Sequence, residues 1–158
     1  MDAATANRLT ALELDETSLP ARSREVDHER RVAIFDLLED NSFALAGAPG
    51  PYRLRLAIHE GRLLFDVRSD DETKLRDIVM SLTPFRKVVR DYFMICESYY
   101  DAIRKLSPSQ IETLDMGRRG LHDEGSELLR ERLGGKIELD FGTARRLFTL
   151  LCALHAKG

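Results

Sequence analysis

Two arginines, one histidine and three carboxylates crowd into the segment Asp115-Met-Gly-Arg-Arg-Gly-Leu-His-Asp-Glu124, interleaved with two glycines. On a helix the four-residue spacing brings Asp115 to Arg119, Arg118 to His122 and Arg119 to Asp123. Charge pairing on a solvated face would then account for the composition. The glycines support a second reading. Each costs about 1 kcal/mol relative to alanine in a helix interior, so Gly117, Gly120 and Gly125 imply either a broken backbone or the close approach of another group. A break would aim free backbone N–H groups beside Arg118 and Arg119, where guanidinium forks grip a phosphate or carboxylate in two places. Asp115, Arg118 and Arg119 are thus the candidate ligand-binding residues. His122, with Asp123 or Glu124 beside it, is the candidate proton-transfer group. A site requires Arg118, Arg119 and His122 to face a common recess.

A second basic surface can be assembled from Arg53, Arg55 and Arg68 with Arg86, Lys87 and Arg90. It would suit single-stranded RNA if aromatic faces lay beside it for bases to stack on, and Tyr52, Tyr99 and Tyr100 are the nearby candidates. Other chemistries find no footing. Cys96 falls in mid-helix and not in a phosphate-cradling loop, and Arg104 is too far along the chain to serve it. Gly47 and Gly50 do not open a nucleotide-binding helix. His28, His59, His122 and His155 lack the spacing of metal ligands, so neither a metal nor a cofactor is expected.

The elements that must position these residues follow from hydrophobic period. Residues 8–14 have strand character, and the polar stretch around Pro20 reads as a loop. Val26, Ala33, Ile34, Leu37 and Leu38 recur at helical spacing between Val26 and Asp40. Leu54, Leu56 and Ile58, then Leu63, Phe65 and Val67, alternate with polar residues on either side of Glu60-Gly61. That pattern predicts a hairpin over 52–68. Residues 72–80 read as a short helix. Thr83-Pro84 reads as an N-cap with proline in the first turn. It opens a helix over 84–105 whose stripe of Phe85, Val89, Tyr92, Cys96, Tyr99 and Ile103 is widened by Val88, Ile95, Ala102 and Leu106, which predicts the central helix. Ser107-Pro-Ser-Gln110 is a capping-box start, Gly134-Gly135 ends that helix, 136–139 is extended, and Asp140 caps a last helix.

The chain has 158 residues, a usual length for one domain, and we expect residues 1–158 to form one, with 1–7 disordered. Twenty-four basic against 27 acidic side chains give a net charge of -3, which disfavours a general polyanion binder. No apolar run approaches a membrane span and no export signal opens the chain. Cys96 and Cys152 sit in apolar helical patterns without a CxxC spacing, as two buried reduced thiols would. A cytoplasmic setting follows.

The strings His28-Glu-Arg-Arg-Val-Ala-Ile-Phe-Asp-Leu-Leu-Glu-Asp40, Phe93-Met-Ile-Cys-Glu-Ser-Tyr-Tyr100, Asp115-Met-Gly-Arg-Arg-Gly-Leu-His122 and Arg145-Arg-Leu-Phe-Thr-Leu150 resemble uncharacterised protein family 0262 of alphaproteobacteria, over nearly the whole chain. The resemblance implies a bacterial cytoplasmic setting and transfers no mechanism. The expected fold is α+β, a small antiparallel sheet built on the hairpin with 8–14 added, packed against about five helices. The expected function is a non-enzymatic binding or regulatory module that holds an anionic small molecule or acidic protein partner. The alternatives are a small enzyme acting on a phosphate ester or nucleotide, with His122 as acid or base, and an RNA-binding protein.

Overall fold

The computed structural model describes residues 6–19 and 23–155, so the expectations for residues 1–5 and for Pro20 lie outside the described residues. Asn7, expected to be disordered, is held in place: its carbonyl accepts the Phe43 N–H at 3.0 Å.

Strands β1 (Leu9–Leu14), β3 (Tyr52–His59), β4 (Arg62–Ser69) and β5 (Lys74–Ser81) form one sheet in the order β1-β3-β4-β5. The predicted hairpin is β3 and β4, and its turn places Glu60 at φ 53° and Gly61 at φ 74°. Positive φ at both turn residues matches the right-handed twist of the flanking strands. Residues 8–14 do join the sheet, but β1 pairs with β3 in parallel, so the sheet is mixed and not antiparallel throughout. A parallel pair needs a long crossover, which here contains helix α1 (Arg24–Glu39) and strand β2 (Phe43–Leu45).

The short helix expected at 72–80 is instead β5. It pairs antiparallel with β4 from Arg62↔Ser81 to Arg68↔Lys74 and buries only Ile78 and Met80. Lys74, Leu75, Arg76 and Met80 are good helix formers. Ladder hydrogen bonds and the burial of Ile78 and Met80 against the core override that local preference.

Four α-helices and a short 3-10 turn are found among the described residues. Helix α1 begins at Ser23, whose hydroxyl accepts the Val26 N–H, and buries Val26, Arg30, Ala33 and Leu37 on one stripe. Thr83 is not a cap: Thr83–Phe85 is a 3-10 turn entered from Leu82, and α2 runs Arg86–Lys105. Helix α3 spans Pro108–Leu133 with the predicted capping box at Ser107 and Gln110. Helix α4 (Phe141–His155) follows β6 (Ile137–Leu139), which pairs antiparallel with β2. Asp140 caps α4 by accepting the Thr143 N–H at 2.8 Å.

Burial does not centre on the 84–105 helix. In α2 only Val88, Val89 and Ala102 are buried, whereas in α4 nine residues are, including Ala144, Leu147, Phe148 and Leu151. Helix α4 packs against both α1 and α3, while α2 packs on α3 from outside. The inner face of the sheet joins this helical layer in one continuous apolar core.

Candidate functional site

Helix α3 runs unbroken through the segment expected to break. Two of its glycines mark close approaches. A Cβ on Gly117 would lie 2.6 Å from Ile95 Cδ1 on α2, and one on Gly125 would lie 2.2 Å from the Phe148 ring on α4. Nothing lies within 4 Å of where a Gly120 Cβ would be. Because both neighbours seat tightly, the α3 face carrying residues 118, 119 and 122 is held beside α4.

There the structure brings Arg118, Arg119 and His122 into a common recess of about 470 Å³, open to solvent, with Tyr92 of α2 and Gly142, Arg145, Arg146 and Thr149 of α4. Four guanidinium groups therefore line one depression. Gly142 stands in the first turn of α4, so that helix also presents its N-terminal, partially positive end there.

The carboxylates lie behind or beside the cations. Asp115 is tied to both neighbours, to Arg118 at 2.5 Å and to Arg119 through its other oxygen. The Arg118 hydrogen bond, reinforced by Arg119, holds the Asp115 carboxyl below the usual range. Asp115 does not line the recess; through its pairs with Arg118 and Arg119 it fixes the orientation of both. Looser ion pairs link Arg145 to Asp123 at 3.6 Å and Arg146 to Asp40 at 3.5 Å. Four arginines thus face three carboxylates. Tyr99 holds Arg118 from the other side, with the guanidinium 5.1 Å from the ring centroid.

His122 is 8% exposed, and its ring meets Tyr92 at 5.4 Å and Phe148 at 5.2 Å, edge to face. Its Nε2 lies 2.8 Å from Thr149 Oγ1, which itself donates to the Arg145 carbonyl at 3.1 Å. A hydroxyl has one proton to give. Thr149 must therefore accept from His122 Nε2–H, which leaves Nδ1 as the bare nitrogen of a neutral ring, buried and without a hydrogen-bond partner. Burial, then the positive charges of Arg145 and Arg118, push the His122 pKa down against the opposing pull of Asp123. No carboxylate orients the ring, and Glu124 is exposed and outside the recess. Tyr92 is pushed up to about 12, mainly by burial. Its phenol is a hydrogen-bond donor at neutral pH.

Five of the recess residues are not among the site candidates read from sequence: Tyr92, Gly142, Arg145, Arg146 and Thr149. The doublet Arg145-Arg146 was a usable signal. It interrupts the most apolar helix in the chain and repeats the Arg118-Arg119 doublet.

The second basic surface is divided. Arg53, Arg55 and Arg68 do share one sheet face, but Glu13 and Glu72 stand among them, and Arg68 is held by Asp66 at 3.0 Å. Arg86 and Arg90 line a different depression beside Phe93 and Met94. Tyr52 is fully buried, with its hydroxyl donating to the Ala48 carbonyl at 2.6 Å, so it offers no face for a base. Among the described residues no group of three His, Cys, Asp or Glu is gathered as a metal site requires, and no helix is long and apolar enough to cross a membrane.

Comparison with known proteins gives a consistent result. The sequence profile of the uncharacterised protein family (UPF0262) matches residues 6–157. A UPF0262 protein of Rhodospirillum rubrum is 58% identical over 152 residues, covering 96% of this chain and 94% of its own. One from Xanthobacter autotrophicus is 58% identical over 159 residues, with 99% and 97% covered. Another from Hyphomonas neptunium is 59% identical over 152 residues, with 96% and 94% covered. No solved structure matches the chain. With nearly its whole length matched, the chain belongs to the bacterial uncharacterised protein family UPF0262.

Proposed function

We propose that this protein is a cytoplasmic binding module for a small anionic ligand held in the recess between α3 and α4. The observation that carries the reading is the convergence of Arg118, Arg119, Arg145 and Arg146, from two helices, on one depression. Asp115, Asp123 and Asp40 offset part of this gathered charge, and a small anion in the recess would offset the remainder. Asp115 and Tyr99 hold the α3 pair in place, which reduces the entropy lost on closing around a ligand. A recess favours a small molecule over a flat acidic protein surface. Binding is favoured over catalysis because the Thr149 hydroxyl beside His122 accepts its Nε2–H and gives its own proton to the Arg145 carbonyl, so the ring does not activate it as a nucleophile. The two free cysteines fit a reducing compartment.

The test is titration with inorganic phosphate at low ionic strength. Arg146→Ala should weaken binding by about 1.5 to 3 kcal/mol, the range for a hydrogen bond to a charged group, and Arg119→Ala by a similar amount, with circular dichroism and melting temperature unchanged. Equal affinity in wild type and both variants would show that the arginines are a solvated face and nothing more.

A further inference from the structure

A second depression of about 470 Å³ lies between α1, α2 and α4. Tyr92 and Thr149 line both it and the arginine recess. The two therefore meet across the exposed Thr149 side chain. Their character is opposite. The second is lined by Val32, Phe93, Cys96, Tyr100 and Cys152, and Val32, Phe93 and Tyr100 remain exposed there at 43%, 38% and 67%. Both thiols are pushed up by burial and stay neutral, so they present sulfur as an apolar wall. From α1, His28, Glu29 and Asp36 also line this groove, and the two carboxylates disfavour an anionic head there.

We propose that the anion in the arginine recess is the head of a single-chain amphiphile, an alkyl or acyl phosphate, whose apolar tail crosses Thr149 into the groove between α1, α2 and α4. The inference rests on the anion-binding reading above and names its ligand class. Head and tail polarity are set by the protein: cations line one depression, and apolar side chains with no cation of Lys or Arg type line the other. Tail burial would cover the faces of Val32, Phe93 and Tyr100 that the described residues leave exposed. Each methylene removed from water should tighten binding about fourfold.

The experiment compares inorganic phosphate, ethyl phosphate, octyl phosphate and the uncharged octyl maltoside, the last two kept below their micelle concentrations, by NMR titration of the full chain. Octyl phosphate should bind about 60-fold more tightly than ethyl phosphate, as expected if three methylenes are buried. Val32→Glu and Phe93→Glu, both at exposed positions, should each remove most of that gain and leave ethyl phosphate unaffected. Arg146→Ala should weaken ethyl and octyl phosphate by the same factor. Equal affinities for ethyl and octyl phosphate would overturn the tail and leave the anion site standing. A chain-length gain that survives both glutamate variants would place the tail elsewhere and also overturn the proposal. Tight binding of octyl maltoside with none of any phosphate, or no binding of any probe, would overturn the anion reading together with this one.

Discussion

His122 is the residue whose environment makes the sharpest demand. Its neutral ring donates from Nε2 to Thr149 and keeps a buried, unpartnered Nδ1, with Arg145, Arg118, Asp123 and Tyr92 the charged and titratable groups around it. In the unfolded chain it titrates near the ordinary histidine value of about 6.5 and in the folded chain below it. Between those two values the unfolded state binds a proton that the native state does not, so stability rises with pH there. The penalty is absent above the unfolded value and grows as pH falls from it toward the folded value. His122→Gln should flatten that part of a stability-pH profile measured by chemical denaturation. A bound anion changes the balance, because negative charge in the recess favours the imidazolium. The His122 ring resonances should therefore titrate below the free-histidine range without ligand and move upward with saturating phosphate, and phosphate should bind more tightly as pH falls through that range. An unmoved titration curve would place the anion away from His122. The arginine doublet and the histidine were legible in sequence because one helix carries them at near-neighbour spacing. Tyr92 and Thr149 were not, since their relation to His122 exists only after α2 and α4 dock.

At the scale of the element, the glycines of α3 separate local preference from packing. All three weaken a helix alike in isolation, and sequence could go no further than requiring a reason for each. The fold supplies two reasons of one kind: Ile95 presses on Gly117 and Phe148 on Gly125. Gly120 faces open space. Gly120→Ala should therefore stabilise the protein by about 0.5 to 1 kcal/mol through helix propensity alone. Gly125→Ala should destabilise it by about 1 to 3 kcal/mol as the Phe148 ring is driven from its seat, and it should disturb the His122 ring, which packs on Phe148. Urea midpoints with unchanged slopes would read both. Loss of stability in Gly120→Ala would mean that this exposed face is packed in solution. Strand β5 marks the opposite limit of sequence reading. Lys74 to Ser81 has one neighbouring strand and exposes five of eight side chains, so its alternation is too faint to outweigh its helix-forming residues. The 52–68 hairpin, buried regularly on one face and turned by Glu60-Gly61, was plain for the converse reason.

Across the whole molecule, the distribution of burial decides which residues hold the fold. Period alone pointed to the 84–105 helix, yet an apolar stripe records only what a helix can bury. Phe93, Met94, Tyr100 and Ile103 of α2 stay exposed, and the shorter, more apolar α4 takes the centre between α1 and α3. Phe148 and Phe65, one on α4 and one on β4, are both fully buried and belong to the same continuous core. If sheet and helices unfold as one body, truncating either should lower a single transition. Phe148→Ala and Phe65→Ala should each cost about 3 to 5 kcal/mol, the usual loss for a buried phenylalanine, whereas Ile95→Ala, at a half-buried α2 position, should cost less than either. The chain has no tryptophan, so tyrosine fluorescence can report on Tyr52 beside β2 and on Tyr92 beside the recess, while far-ultraviolet dichroism follows the helices. Coincident urea transitions by both probes in wild type and in both phenylalanine variants would establish one cooperative unit. Were the sheet a separate unit, Phe65→Ala would split the curve, with the dichroism midpoint of the helices left at its wild-type value. The arginine recess lies wholly within the helical layer. In a cooperative molecule Phe65→Ala must therefore lower the denaturant concentration at which phosphate binding is lost, by the same amount as it lowers the unfolding midpoint, although Phe65 touches no part of the site.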